Sequence, residues 1–462
     1  MSDLRRISTI NIGTNTFYGN TNIINVDCNY TPWQNNSMYN AFRGCTNLKS
    51  INNINNNVTN MWTTFYQCYN LINAPTIPNS VTTLAGTFEF CWNLVNAPVI
   101  PDSVNNLEST FHYCNKLTDA PTIPNSVTTL PLTFNYCTRL VNAPVIPNSV
   151  TSLYGTFANC WNLVNAPVIP DSVTNMYSTF YNCVNLQNVT LPNSTNLNLD
   201  QTFTECTSLE NITLPNSIVS GGLARTFMGC YNLKNVEIPN NYIGSLSGTF
   251  ANCRSLTDIN IPSGVNGLSD SPFAHCYNLV NVSPIPNGIA SMYHTFAECY
   301  NLKNAPSIPV SVTNMYQAFY NCRNLEYIQE IPSGVKDLTY AFAYCNFNTL
   351  PDFTNATNLT TISLAFVNNI NLSTINTNIV SPNLTGMSST FVWCNNLTGN
   401  IYIHSENITT ASSCFTGTLA KNVYIPFQNN GVNTKTYNAF ISAGYKTDGT
   451  VNGVYLMDIN NI

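Results

Sequence analysis

The sequence predicts a β-rich solenoid, a stack of coils of about 23 residues with one long parallel sheet and short 3₁₀ or single-turn return segments. Three observations predict it. Cysteine recurs at 45, 68, 91, 114, 137, 160, 183, 206, 230, 253, 276, 299, 322 and 345, every step being 23 residues except one of 24. A Phe stands three before each of these cysteines, from Phe42 and Phe65 to Phe319 and Phe342, and a Leu three after most, from Leu48 and Leu71 to Leu302 and Leu325. Hydrophobic residues make up 44% of the 462 residues while charged residues make up only 8%, far below the usual quarter, so the surface is polar without being charged.

Each unit runs [TA]-F-x-x-C-x-x-L and then an apolar-Pro pair, seen at Ile77-Pro78, Ile100-Pro101, Leu191-Pro192 and Ile331-Pro332. A Ser-Val or Gly-Val step usually follows, with another Leu or Met such as Leu84 or Met176. A unit this short cannot bury its own apolar face and has to stack on its neighbours. The alternating, β-branched segment Asn188-Val189-Thr190-Leu191 reads as a short strand, and coils in register pair such strands into a parallel sheet. Proline ends each strand. The spacing of three puts Phe, Cys and Leu on one side of the return.

The string A-F-x-x-C-x-x-L-x-x-[IV]-x-[IL]-P-x-S-V, as in TFTECTSLENITLPNSI and TFMGCYNLKNVEIPN, resembles the BspA-like class of leucine-rich repeats over about residues 37 to 415. The resemblance implies a leucine-rich-repeat stack. It also implies a role in binding, since proteins of that family are bacterial surface adhesins and receptors for host proteins, and similar repeats occur in gut bacteriophages. Many units insert one residue to give N-A-P-x-I-P (Asn73 to Pro78, Asn96 to Pro101, Asn142 to Pro147), which predicts a shorter or bulged strand. Residues 345 to 394 break the rhythm, with Asn369 standing three after Phe366 where a Cys is due, and read as a degenerate coil. From Ala420 the pattern changes to a short helix near Thr434 to Ala443 and a final strand. The expected organisation is an N-terminal cap at 1–36, the solenoid at 37–419 and a C-terminal cap at 420–462, the caps covering the open ends of the stack.

A cysteine at the same site of every coil has its neighbours one strand spacing away, longer than the roughly 3.5 to 4.5 Å between the Cβ atoms of a disulfide. The seventeen cysteines are therefore expected to be buried free thiols. No C-x-x-C or Cys/His pairing appears, and His112, His275, His294 and His404 are scattered, so neither metal nor cofactor is expected. Glu108, Glu205, Asp258 and Glu298 are sparse, and a regular coil offers no unique pocket where nucleophile, base and orienter converge. No catalytic residue is expected. A net charge of -6 with 15 Lys+Arg supplies no basic patch for nucleic acid.

Two columns are candidates for facing a ligand. The position two after the repeat Leu is Asn73, Asn96, Asp119, Asn142, Asn165, Asn188 and Asn211, then Asn235, Asp258, Asn281 and Asn304, and should lie on the outward face of the sheet. It reads as an amide ladder along the stack or as a polar track for a ligand. The position after the Cys is often aromatic, at Tyr69, Trp92, Trp161, Tyr231, Tyr277 and Tyr300, and a second row is Tyr39, Trp62, Tyr154, Tyr177, Tyr293 and Tyr316. These rings either pack on the next coil or offer faces to a sugar or a protein partner.

The N-terminal MSDLRRISTINIGTNTFYGN has an Arg pair but neither a continuous apolar segment nor a small-residue cleavage site, and reads as lacking a Sec signal. No segment approaches the roughly 20 apolar residues of a membrane span, so no membrane insertion is expected. These features favour a non-enzymatic binding or structural protein of a bacteriophage virion, a tail or accessory decoration component touching the host surface, with other virion proteins among its partners. The alternative is a bacterial cell-surface adhesin or exported protein-binding repeat protein, its partner a protein or a surface glycan. An intracellular scaffold is a third reading.

Overall fold

A computed structural model describes residues 12–28, 36–218, 222–420, 422–448 and 454–461. The chain forms two compact units, Met1–Pro239 and Asn240–Ile462, each built from stacked coils. Much of the expected N-terminal cap, residues 1–11 and 29–35, lies outside the described residues.

The coil from Cys137 to Cys160 shows how the sequence dictates the path. Leu140 N–H bonds to the Cys137 carbonyl and Val150 N–H to the Pro147 carbonyl, two tight corners. Between them Ile146 is buried, and after them Val150, Leu153, Phe157 and Cys160 all reach zero exposure. In the return, Leu153, Gly155, Phe157 and Asn159 donate forward to the carbonyls of Asn175, Tyr177, Thr179 and Tyr181, at 2.7 to 2.9 Å. The intervening Thr156, Ala158 and Cys160 donate back to Leu153, Gly155 and Phe157 inside the same coil. Every second N–H thus bonds the next coil. The i to i+3 bonds expected of a 3₁₀ turn are present, but only at alternate residues.

This alternation needs left-handed backbone two residues before and two after each Phe. Gly155 and Asn159 have φ of 57° and 60° in this coil, and the same two sites elsewhere hold Leu132 (54°), Tyr136 (58°), Gln201 (56°) and Glu205 (61°). Glycine meets the requirement without a Cβ penalty, whereas an ordinary side chain costs about 1 to 2 kcal/mol. The interlocking bonds to the next coil hold these residues there.

Three buried polar ladders explain the rest of the motif. Where a Thr precedes the Phe, it donates its hydroxyl to a carbonyl of the preceding coil, as Thr156 does to Leu130 at 2.6 Å and Thr179 to Leu153 at 2.8 Å. The Cys thiol bonds the preceding Phe carbonyl, Cys160 to Phe134 at 3.2 Å. The Ser of the Ser-Val step does likewise, Ser149 to Val127 at 2.7 Å. Each satisfies a group that burial would otherwise strand. Where Asn369 replaces the Cys, its amide donates to the carbonyls of Phe342 (2.8 Å) and Phe366 (3.0 Å), so the degenerate coil keeps the ladder with different chemistry.

In unit one the phenylalanines stack from Phe17 through Phe42 and Phe134 to Phe227, with centroids 5.2 to 5.8 Å apart. In unit two the column runs from Phe250 to Phe415 in the same manner. All seventeen cysteines are buried and unbridged.

The parallel pairing is narrower than one long sheet: even Asn188, which opens the stretch expected to be a strand, and the pair Asn211 and Asn235, whose prolines follow four residues on, make only single bridges. Strands β1 (Asn25–Asp27) and β2 (Ser50–Asn52) pair in unit one. Where Pro follows two after the Asn, as in Asn73-Ala74-Pro75, pairing shrinks to a single bridge, Asn73 to Asn96 to Asp119 to Asn142, because Pro has no N–H to give. A second column of bridges, such as Asn60 to Thr83 to Asn106, runs just before the return. In unit two, β3 (Gly244–Ser245) pairs with β5 (Val265–Gly267) and β4 (Asp258–Ile259) with β6 (Asn281–Val282). Pro-free stretches give the longest strands, β7 (Thr374–Ile379) and β8 (Thr398–Ile403), which lead to β9 (Asn422–Ile425).

Beyond β9 come an antiparallel pair, β10 (Gln428–Asn429) and β11 (Val432–Asn433), then helix α1 (Lys435–Ser442). The helix begins where expected because the Thr434 hydroxyl accepts from Tyr437 N–H as N-cap. Its buried Phe440 packs on Tyr445, which lies edge-on over Phe415 and accepts from the Phe415 N–H. The final strand β12 (Tyr455–Asp458) pairs parallel to β9.

Candidate functional site

The Asn/Asp column is exposed throughout, as the strand pattern demands. Its members bond one another: Asn96 Nδ2 to Asn73 Oδ1 (3.3 Å), Asn142 Nδ2 to Asp119 Oδ1 (2.5 Å) and Asn188 Nδ2 to Asn165 Oδ1 (2.8 Å). The amide of Asn142 and the hydroxyl of Thr118 hold Asp119 below the usual carboxylate range. Asn211 continues the column through its bridge to Asn235, and with Asn188 it lines an open depression of ≈ 510 Å³ that also touches Thr190 and Glu210. The ladder uses one donor or acceptor of each amide, and the outer atoms stay available.

Flanking the column in unit one is an exposed β-branched row that the sequence reading did not single out. Val99, Val145 and Val168 are 87%, 80% and 84% exposed, and Ile72, Val95 and Val141 stand on the other flank, also exposed. The signal was the x of N-A-P-x-I-P, which alternation between buried Pro and buried Ile forces outward.

The aromatic column is not continuous. Tyr69 and Trp92 stack at 4.1 Å, and Tyr277 and Tyr300 at 4.6 Å, so each pair spends one face of each ring on its neighbour. Trp161 has Thr138 and Val184 in the adjacent coils and, among the described residues, no ring partner. Tyr231 is half-buried. In unit two the guanidinium groups of Arg254 and Arg323 lie over Tyr277 and Tyr300, capping the pair at both ends. Glu298 accepts from the Tyr300 hydroxyl at 2.8 Å and meets His275 Nδ1 at 3.1 Å; burial and this carboxylate push the Tyr300 phenol up to about 12. The second row pairs as Tyr39 with Trp62, Tyr154 with Tyr177 and Tyr293 with Tyr316.

A further aromatic strip went unread: Phe90, Tyr113 and Tyr136, two after their Phe, stack at 4.6 and 4.2 Å, with Glu89 and His112 paired beside them at 3.1 Å. The sequence signal was an aromatic directly before the Cys. Burial pushes the thiols up, Cys183 and Cys276 to about 12, leaving them protonated at neutral pH. Among the described residues no three His, Cys, Asp or Glu side chains gather around one point.

The model of the BspA type leucine rich repeat region, in 6 copies, matches residues 5–118, 62–179, 132–241, 223–348 and 315–442. The chain belongs to the BspA-type leucine-rich-repeat family. Among solved structures it is similar to a leucine-rich repeat protein from Bacteroides ovatus ATCC 8483, at 22% identity over 74% of this chain and 86% of that one, with a TM-score of 0.53. It is also similar to a leucine rich cell surface protein from Faecalibacterium prausnitzii A2-165, at 26% identity over 66% and 86% of the two chains, with a TM-score of 0.46. No curated protein matches it. The Bacteroides likeness establishes the fold of this BspA-type chain. Among the described residues no helix is long and apolar enough to cross a membrane.

Proposed function

We propose that this BspA-type chain is a bacterial surface or exported protein that binds another protein through the ladder face of its first unit. The observation that carries the reading is the exposed row of Val99, Val145 and Val168 beside a self-bonded amide column. Water-exposed β-branched side chains repeated at one coil position make an apolar patch with a polar border, the composition of a protein interface. The amide ladder fixes that border in register, which lowers the entropy lost when a partner docks. Nothing in the family match points toward the virion reading.

Surface exposure is tested by protease shaving of intact producer cells with immunodetection of the chain. Recovery only in phage particles would overturn it. Binding is tested on immobilised extracellular host proteins with the triple variant Val99→Asp, Val145→Asp, Val168→Asp. These sites are solvent-facing, so the variant melts as the parent does and loses binding; retained binding removes this face from the interface.

A further inference from the structure

We propose that the stretch of unit one between Trp92 and Trp161 binds an acidic, uronate-type oligosaccharide. The two tryptophans hold the same coil position three repeats apart, roughly 14 Å at about 4.8 Å per coil. They are 43% and 44% exposed. Trp92 gives one face to Tyr69 at 4.1 Å, so its other face is turned along the stack toward Trp161. Between them the same position holds only Asn115 and Thr138, which are much shorter than an indole. The two rings are therefore walls and the short residues a floor. The Thr138 hydroxyl bonds the Asn115 carbonyl at 3.4 Å, and Asn115 Oδ1 is turned inward, buried beneath the floor.

The next residue in each floor coil is a cation, Lys116 and then Arg139, both exposed and neither in a salt bridge among the described residues. Lys49, Lys336, Lys435 and Lys446 likewise lack an ion pair among the described residues, whereas other cations of the chain are committed. Lys234 and Lys303 pair with Glu210 and Glu326, and Arg43, Arg254 and Arg323 lie over tyrosine rings. Two exposed cations on adjacent coils, beside the short residues that separate the two indoles, offer a place for negative charge.

The ring walls select what carries that charge. A pyranose has an apolar C–H face that stacks on an indole and edge hydroxyls that bond amides and threonines, while a carboxylate on the ring takes a charge-assisted bond from Lys116 or Arg139. An acidic peptide would satisfy the cations but leave both indole faces wet. The two readings are tested by different variants and different ligands, so they fail independently.

The test is titration of the full chain with oligogalacturonate, followed by tryptophan fluorescence and calorimetry. The neutral methyl ester of the same oligomer and a poly-glutamate of matched charge serve as comparisons. Saturable oligogalacturonate binding is expected, weakened at least about tenfold by the methyl ester, by Trp161→Ala and by Lys116→Gln with Arg139→Gln, the scale of losing one anchor. Trp62→Ala and the triple valine variant are expected to bind as the parent does. Thermal melting of each variant confirms the fold. The proposal is overturned by absence of saturable binding, by Trp161→Ala binding as tightly as the parent, or by poly-glutamate binding equally well.

Discussion

Replacing Phe157 separates burial from stacking within the core column. Its ring has zero exposure and lies between Phe134 and Phe180, both at 5.7 Å and within 8° of parallel. Phe157→Ala removes the buried ring and leaves a cavity that two interlocked coils cannot close, a loss of about 3 to 5 kcal/mol. Phe157→Leu keeps most of the apolar volume but breaks two aromatic pairs, each worth about 0.5 to 1.5 kcal/mol, for a loss of about 1 to 3 kcal/mol. Because each coil bonds mainly to its neighbours, the damage should be local. Urea unfolding gives the two magnitudes, and hydrogen exchange should show loss of protection centred on residues 134–180. A loss near zero for Phe157→Leu beside a full loss for Phe157→Ala would refute the stacking contribution, and unchanged stability in both would refute the assignment of this ring to the core.

The thiol column gives a pH dependence. Burial raises Cys183, Cys276 and Cys394 from their ordinary 9.0 to about 12, so the unfolded chain releases these protons first. Stability is therefore intact below pH 9 and falls as pH rises toward 12, by about 1.4 kcal/mol per pH unit for each such thiol, and equilibrium unfolding at pH 7 and 10 checks it. In the native state at pH 8, maleimide should label none of these thiols, and rapid labelling would contradict their burial. Thr156→Val removes the hydroxyl bonded to the Leu130 carbonyl and should cost about 1 kcal/mol by the same urea assay. Asn369→Cys restores the usual ladder and should be close to neutral, whereas Asn369→Leu leaves the Phe342 carbonyl without its side-chain donor and should cost about 1 to 3 kcal/mol.

Coil length, the Phe and Cys columns, the helix starting after Thr434 and the outward Asn column were all legible, because each depends on a period or a cap that a single side chain announces. Width of the parallel pairing was less so, since an early Pro limits it after Asn73 but Asn211 and Asn235, with Pro four residues on, also pair through a single bridge. Left-handed backbone at Leu132, Tyr136 and Gln201 left no trace in residue type. Bonds between coils impose it, and those do not exist until neighbours are stacked. Trp92 and Trp161 were both visible as aromatics after a Cys. That one is half of a stack and the other is flanked by Thr138 and Val184 follows only when the columns are compared across coils, and Lys116 and Arg139 gained meaning only from that comparison.

The forward-donating N–H groups of the return carry a consequence for how such a chain changes length. Leu153, Gly155, Phe157 and Asn159 make the same four links that their counterparts make in neighbouring turns of the stack. Duplicating or deleting one whole period would therefore leave every donor with an acceptor, and the 24- and 25-residue steps from Phe203 to Phe227 and from Phe366 to Phe391 keep the same links by taking up the extra residues outside the return. Growth by complete periods is thus a route the architecture tolerates, and it moves surface features such as Trp92 and Trp161 apart in fixed increments.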